Sequence, residues 1–208
     1  MLIINFNFNL PRSAAPASRS FLAPLLVAAS LLLPAPAHAQ TVYWTTRDLL
    51  SDFFKHSDKV SFKKVAVDGE RLHLIEQRLG YALSRTSFTF FVATTGDHLD
   101  GYALFDEELG QHLPISFAVK MSPAGVLERQ EIVAYREARG DEVRDARFRA
   151  QFAGKTARDA LRPGDDIVVI SGATISSRAM AIGVRRALVL LDELIIAPRQ
   201  AASATASR

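Results

Sequence analysis

The sequence feature that most restricts the fold is a long, mostly apolar helical pattern over residues 176–194. At about 100° per residue, its charged side chains fall within one stripe of roughly 120°. These charged residues are Arg178, Arg185, Arg186, Asp192 and Glu193. The remaining positions are largely apolar: Met180, Ile182, Val184, Leu188, Leu190, Leu191 and Leu194. The pattern therefore predicts a mostly buried helix whose N-terminus is held rigidly.

A small-residue turn, Ser171-Gly172-Ala173-Thr174, precedes this helix and follows a β-branched run at 167–170 that predicts a short strand. Backbone N–H groups at a helix N-terminus lack intrahelical partners, and the helix dipole favours negative charge there. The turn is therefore suited to a phosphate. An ordinary N-cap is the alternative, because Ser and Thr are common caps and Gly allows a tight turn. The residues alone leave both interpretations open.

The first 39 residues are typical of a signal peptide. Arg12 and Arg19 precede an apolar run at 21–33, and the segment ends in a small-x-small cleavage pattern at Ala39. A membrane anchor is the alternative, but the run is short for a bilayer span. We expect export to the periplasm or another extracytoplasmic compartment, with a mature chain that begins at Gln40.

Composition excludes several classes of protein. The chain has no cysteine, so it has neither a disulfide framework nor a lipid-attachment cysteine. No histidines of the mature chain have metal-ligand spacing, and no G-x-S-x-G motif is present, so we expect neither a metal site nor a catalytic serine. Of the 25 basic residues, 23 remain without Arg12 and Arg19, and they nearly balance the 22 acidic ones. No basic stripe indicates nucleic-acid binding, and nothing implies a tight oligomer.

The mature chain predicts an α+β fold, in which an antiparallel sheet with one buried face is flanked by helices. The predicted helices cover 42–54, 70–79 and 143–152, and the predicted strands cover 60–67, 87–94, 101–106, 113–121 and 126–136. Thr45 or Thr46 is the expected cap of the first helix, and Gly80 ends the second. The acidic cluster Asp106, Glu107 and Glu108 is typical of a solvated strand end. Residues 198–208 are of low complexity and are predicted to be disordered.

The turn and several other segments resemble a known family. Residues 171–177 (SGATISS) resemble the flavinylation motif of FMN-binding domain proteins, which include the C and G subunits of the sodium-pumping NADH:quinone reductase and of Rnf complexes. Segments 79–81, 101–106, 108–112, 140–144 and 152–156 resemble a group of small exported FMN-binding proteins. The resemblance covers roughly residues 42–194. It divides the mature chain into an N-terminal helical and strand subregion at 40–86 and an FMN-binding domain at 87–197.

The resemblance implies a cofactor and a site. FMN is the expected cofactor, joined through its phosphate to Thr174 by a separate flavin transferase, with Ser171, Gly172 and Ala173 forming the turn at the phosphate. The implied function is electron transfer with membrane-associated redox proteins rather than stand-alone catalysis. The alternatives are non-covalent binding of FMN or another phosphorylated ligand, and an interaction domain without flavin.

One position departs from the family pattern. The family usually has an aspartate three residues before the motif serine, and Val168 stands there in this chain. Asp165 and Asp166 are out of register, because in a strand a shift of one residue changes the face and a shift of two moves a side chain by roughly 7 Å. Covalent attachment therefore depends on whether that aspartate is needed by the transferase.

Overall fold

Six strands pair into one antiparallel sheet in the computed structural model, which describes residues 40–206. The sheet order is β1-β6-β5-β4-β3-β2. The strands are β1 (Thr41–Val42), β2 (Lys59–Ala66), β3 (Ser87–Thr95), β4 (His98–Leu109), β5 (Pro114–Met121) and β6 (Leu127–Tyr135). The predicted signal peptide, and the last two residues of the predicted tail, lie outside the described residues.

Helices lie on both faces of the sheet. They are α1 (Thr46–Phe53), α2 (Gly69–Leu79), α3 (Ala146–Ala150), α4 (Thr174–Leu191) and α5 (Ala197–Ala206), with a 3₁₀ turn at Asp141–Arg144 and a π turn at Asp192–Ile196. The predicted α+β class, with an antiparallel sheet, flanking helices and a long buried C-terminal helix, is confirmed. Thr45 caps α1 by accepting a hydrogen bond from the Asp48 N–H at 3.1 Å, and Gly80 ends α2 in the left-handed conformation.

The main core lies between the sheet and α4. Ile115, Phe117 and Val119, which alternate along β5, are fully buried against it, as the sequence pattern predicted. The expectation of one buried face is incomplete, however, because α1 covers part of the opposite face. There Leu49, Phe53 and Phe54 pack on a row of small side chains from neighbouring strands: Ala93, Ala103 and Ala118.

The predicted helix at 143–152 is interrupted. Its first part is the 3₁₀ turn Asp141–Arg144, and its second part is the short helix α3. Asp145 separates them, because its backbone is extended and its side chain accepts a hydrogen bond from the Arg147 N–H at 2.7 Å. A residue that caps a new helix in this way cannot also continue the preceding one.

The strand predicted at 167–170 is wrong. Only Ile167 makes a bridge, with Pro163, and the segment joins no ladder. Its backbone groups bond to side chains instead: Gln151 binds both the N–H and the carbonyl of Val168, at 2.8 and 3.3 Å, and Ser177 accepts a hydrogen bond from the Ile170 N–H at 3.1 Å. Side chains therefore take the place of a neighbouring strand as hydrogen-bond partners of this segment.

The chain does not become irregular after α4. Residues 192–196 form a π turn in which Leu194, Ile195 and Ile196 are buried, and α5 follows through the segment that was predicted to be disordered. Pro198 falls in the first turn of α5, where its missing N–H costs no hydrogen bond within that helix. Among the described residues, no helix has the length and apolar character needed to cross a membrane.

Candidate functional site

The predicted phosphate turn lies at the N-terminus of α4. Gly172 has a φ of +86°, in the left-handed region, and the Ala173 N–H donates to the Ile170 carbonyl at 3.0 Å, closing the turn. Ala173 is buried, whereas Ser171, Gly172 and Thr174 are exposed. The structure therefore places the four predicted site residues in one turn, with Thr174 as the first residue of the helix.

This helix end has no ordinary cap. The N-cap residue is Ala173, whose side chain has no oxygen, and no side chain in the described part of the chain caps α4. The first turn also has no acidic residue. Its leading N–H groups are therefore available to an external anion, which removes the alternative of an ordinary Ser or Thr N-cap.

The hydroxyl groups of the motif divide into two buried and two exposed. Ser176 and Ser177 are buried: the Ser176 hydroxyl lies 2.8 Å from the Tyr135 hydroxyl, and Ser177 Oγ accepts the Ile170 N–H. Both hydroxyls hold the first turn of α4 in place. Ser171 and Thr174 are the motif hydroxyls that remain accessible from outside.

Tyr135 connects the helix end to the sheet. Its hydroxyl donates to the Arg139 carbonyl at 2.5 Å, so the Ser176 hydroxyl is the donor in the bond between the two side chains. Burial raises the pKa of Tyr135, which keeps the hydroxyl protonated for this role. Gly140 lies against both groups: a Cβ there would be 2.5 Å from Ser176 Oγ and 2.6 Å from the Tyr135 oxygen.

Gly140→Ala tests how tightly this contact is packed. Gly140 has a φ of +97° and no room for a methyl group, so we expect the substitution to lower the free energy of unfolding by about 2–4 kcal/mol. Gly154→Ala is the matched control, because Gly154 has a similar φ of +81° with nothing within 4 Å, and it should cost only about 1 kcal/mol. Urea unfolding measures both. If both variants lose the same free energy of unfolding, Ser176 and Tyr135 can move away from the added methyl group without cost.

A cleft opens directly beside the motif. It lies between the α3 region and the irregular segment 167–170, and its volume is about 540 Å³. Its lining residues are Glu142, Asp145, Arg147, Phe148, Gln151, Val168 and Ile170. Three apolar side chains and three charged ones contribute to this lining, together with Gln151. No three His, Asp or Glu side chains in the described ranges are grouped so that they could hold a metal ion.

The structure also locates the position where the family aspartate is missing. The Val168 side chain is 69% exposed and lines the cleft. Asp166 is occupied in a local turn, where its carboxylate accepts the Arg162 N–H at 3.0 Å, and Asp165 lies 4.0 Å from the Arg162 guanidinium. Neither carboxylate is directed to the motif. The alternating faces of a strand were the predicted reason for the poor position of Asp165 and Asp166. That explanation is wrong, because this segment is not a strand.

The acidic cluster at 106–108 is not a solvated strand end, as had been predicted. Asp106 is buried and forms ion pairs with Arg186 of α4, at 2.8 Å, and with Arg85. Glu108 also pairs with Arg186. Burial lowers the pKa of Arg186, but the two carboxylates outweigh this effect and raise it. Asp106 and Glu108 therefore join β4 to α4, whereas the Glu107 side chain is largely exposed.

Sequence reasoning missed three residues that shape the site: Tyr135, Gly140 and Gln151. Each acts on a segment distant in the chain, since Tyr135 meets Ser176 and Gln151 meets Val168. Gly140 belongs to a segment that resembles the family, but nothing in its sequence neighbourhood indicates the contact with Ser176 and Tyr135. A local pattern carries no signal for such contacts.

Comparison with known protein families finds a match that includes the turn at 171–174. Residues 110–189 match the family model described as FMN-binding domain. This part of the chain is therefore similar to an FMN-binding domain. The match includes β5, β6, the turn at 171–174 and most of α4. It confirms the predicted family and the predicted cofactor, FMN.

Other comparisons are more distant. The crystal structure of NqrC from Shewanella oneidensis is similar over 65% of this chain and 80% of that chain, at 15% sequence identity and a TM-score of 0.45. No curated protein matches the chain.

Proposed function

We propose that the protein is an exported electron-transfer flavoprotein, whose FMN is joined through its phosphate to Thr174 by a flavin transferase. The observation that carries this proposal is the uncapped N-terminus of α4 with an accessible threonine hydroxyl at its first position. Export rests on the leader-like first 39 residues. Redox proteins at the membrane are the proposed partners.

The residues present fit a flavin phosphate. A phosphodiester keeps one negative charge, which the free N–H groups and dipole of α4 would stabilise without a lysine. The helix behind the turn is buried along most of its length, and Ser176 and Ser177 tie its first turn to Tyr135 and to residue 170. The anion would therefore meet donors that are already fixed in position.

The attachment step is a phosphoryl transfer. The Thr174 Oγ1–phosphorus bond forms at the FMN phosphate of FAD, the bond from that phosphorus to the AMP moiety breaks, and the hydroxyl proton is released. An external enzyme needs an accessible hydroxyl, which Thr174 provides and the buried Ser176 and Ser177 do not. Ser171 is also exposed, but it lies outside the helix end where the N–H groups converge.

The cleft beside the turn would hold the flavin ring. When bound, FMN supplies reversible electron-carrying chemistry, and the protein provides binding and tuning. Phe148 and Ile170 give the cleft apolar contact surface, while Glu142 and Asp145 place carboxylates at its border. Arg147 lines the same cleft, so the charged side chains beside a bound ring would be of both signs.

Acid precipitation after co-expression with a flavin transferase tests the proposal. Yellow colour that stays with the precipitated polypeptide, together with the mass increment of FMN on the intact protein, supports covalent attachment. Colour released into the supernatant supports non-covalent binding, and a colourless native protein contradicts both. The N-terminal residue in the same mass measurement shows whether the leader is removed after Ala39.

Val168→Asp should raise the flavinylated fraction under limiting transferase, because it restores the carboxylate of the family pattern at an exposed position beside the turn. Val168→Asn is the matched control, with similar size and no charge. Intact mass after a fixed reaction time measures both variants. Equal fractions in the wild type and in Val168→Asp would show that this departure is harmless.

Non-covalent binding of FMN is the second candidate function, and Val168 is the observation that favours it. The turn, the free N–H groups and the cleft need no covalent bond to accept a phosphorylated ligand. In that case Thr174 would contact the phosphate as a hydrogen-bond donor, and the flavin would be lost on denaturation.

A further inference from the structure

The face of β2 that lies beside α1 has basic and apolar side chains that the fold leaves uncovered. Val60, Phe62 and Lys64 alternate along β2 and share one face, because Val60 pairs with Ala93 and Ala93 packs under α1. Phe62 is 72% exposed, which is unusual for an aromatic side chain on a sheet. An open groove between α1 and β2 continues this face. Arg47 and Lys55 line the groove.

We propose that this basic–aromatic face (Arg47, Lys55, Val60, Phe62 and Lys64) docks the protein on an anionic phospholipid bilayer. The proposal concerns a surface far from the flavin site and does not depend on the flavin.

The charges of this face are not used within the fold. In residues 40–206, Arg47, Lys55 and Lys64 form no ion pair. The nearby Asp58 carboxylate accepts the Gly96 N–H at 3.0 Å and is directed to that turn. Unpaired cations close to a bilayer gain about 1 kcal/mol each from anionic headgroups. The positive charge is therefore available for an external anionic surface.

Protection of the sheet edge against pairing with other chains explains only some of the basic and apolar side chains of β2. β2 is the last strand of the sheet, and lysines on an edge strand discourage pairing with other chains. Lys59 and Lys63 suffice for that role and belong to the opposite face of the strand, by the alternation of β2. Phe62 and the cations around α1 have no such explanation, because an exposed aromatic on an edge strand favours association rather than preventing it.

A bilayer fits this face better than a protein partner does. Protein interfaces are depleted in lysine, and their aromatic anchors usually fill preformed pockets. Here an exposed phenylalanine shares a face with Lys64 and lies beside the groove that Arg47 and Lys55 line, a combination that suits electrostatic attraction with shallow insertion of an apolar side chain.

The position of the face has a functional consequence. The flavin turn is held by Ser176 against Tyr135 on β6, and β6 is four strands from β2 in the sheet. At about 4.8 Å per strand this is a separation of roughly 19 Å. α4 also lies on the opposite side of the sheet from α1. A protein docked through the basic–aromatic face would keep its flavin end turned away from the lipid.

Vesicle co-sedimentation tests the proposal. The secreted full protein is used, and intact mass confirms the same N-terminus in every variant. We expect partition onto vesicles that contain phosphatidylglycerol, little partition onto vesicles of phosphatidylcholine alone, and weaker binding at high ionic strength. Absence of binding to the anionic vesicles, or equal binding to both compositions, would overturn the proposal. An acidic protein partner would then be the occupant to consider.

Two matched pairs of variants test the face itself. K55Q/K64Q should lower the partition coefficient about tenfold, whereas K59Q/K63Q, with the same change in charge on the other face, should lower it at most about threefold. Phe62→Ser should also lower it about tenfold, and Leu74→Ser, at an exposed leucine on α2, by less than about twofold. Equal effects within either pair would contradict this assignment.

Discussion

We expect Thr174→Ala to abolish covalent attachment of flavin. The variant removes the one accessible hydroxyl at the start of the helix, and Ser176 and Ser177 remain buried and hydrogen-bonded. No oxygen is then left at that position to form the bond to phosphorus. Intact mass of protein co-expressed with a flavin transferase should show no FMN increment, a loss of the whole covalent fraction.

The control for this result is Thr174→Ser. It keeps a hydroxyl at the same backbone position, and serine is as compatible with a helix N-terminus as threonine. We expect a measurable covalent fraction, reduced because the serine rotamer is less restricted than that of threonine. If Thr174→Ala still carries covalent flavin, the attachment residue is another hydroxyl, and Ser171→Ala identifies whether it is Ser171.

Local patterns were sufficient for much of the fold. Helices α1 and α2 and strands β2 to β6 were predicted to within about four residues at each end, because their apolar spacing and end signals are local properties of the chain. The turn at Ser171 to Thr174 was also found from the sequence, since small hydroxyl residues before a long apolar helix are a local signal. The family resemblance supplied FMN, which spacing alone did not indicate.

The missed features depend on partners that are distant in sequence. Residues 167–170 have strand propensity, but their hydrogen-bond partners are the side chains of Gln151 and Ser177, so propensity predicted the wrong structure. The second buried face was missed because its row of alanines becomes visible only when the register of three strands is known. Tyr135 and Gly140 were missed for the same reason.

The error at Asp106 has the largest energetic consequence. Three acids in succession are usually solvated, and Arg186 was placed in the exposed stripe of α4. In the fold these two patterns meet: Arg186 of α4 reaches Asp106 and Glu108 of β4, and all three side chains are largely buried. Neither the acidic run on β4 nor the charged stripe of α4 predicts a buried ion pair by itself. Each is typical of exposed residues, and their contact follows only from the packing of α4 on the sheet.

Asp106→Ala should therefore lower the free energy of unfolding by about 3–5 kcal/mol, the usual cost of removing one partner from a buried ion pair. The loss arises mainly because Arg186, whose side chain is only 12% exposed, would keep its charge with one carboxylate fewer. Glu107→Ala is the matched control: its side chain is 54% exposed and lies 3.5 Å from Arg136, so it should cost at most about 1 kcal/mol.

The double variant Asp106→Ala/Arg186→Leu separates charge burial from simple loss of packing. Removing the cation that has lost one of its two carboxylates should recover part of the loss, because an apolar side chain of suitable size can replace a buried pair at little cost. Urea unfolding of the two single variants and the double variant provides the comparison. Equal losses for Asp106→Ala and Glu107→Ala would mean that the strand end is solvated after all. A double variant no more stable than Asp106→Ala would mean that the uncompensated charge of Arg186 is not the main cost. The stability would then come from the pair of Arg186 with Glu108, or from the hydrogen bond that Asp106 accepts from the Glu107 N–H at 2.8 Å.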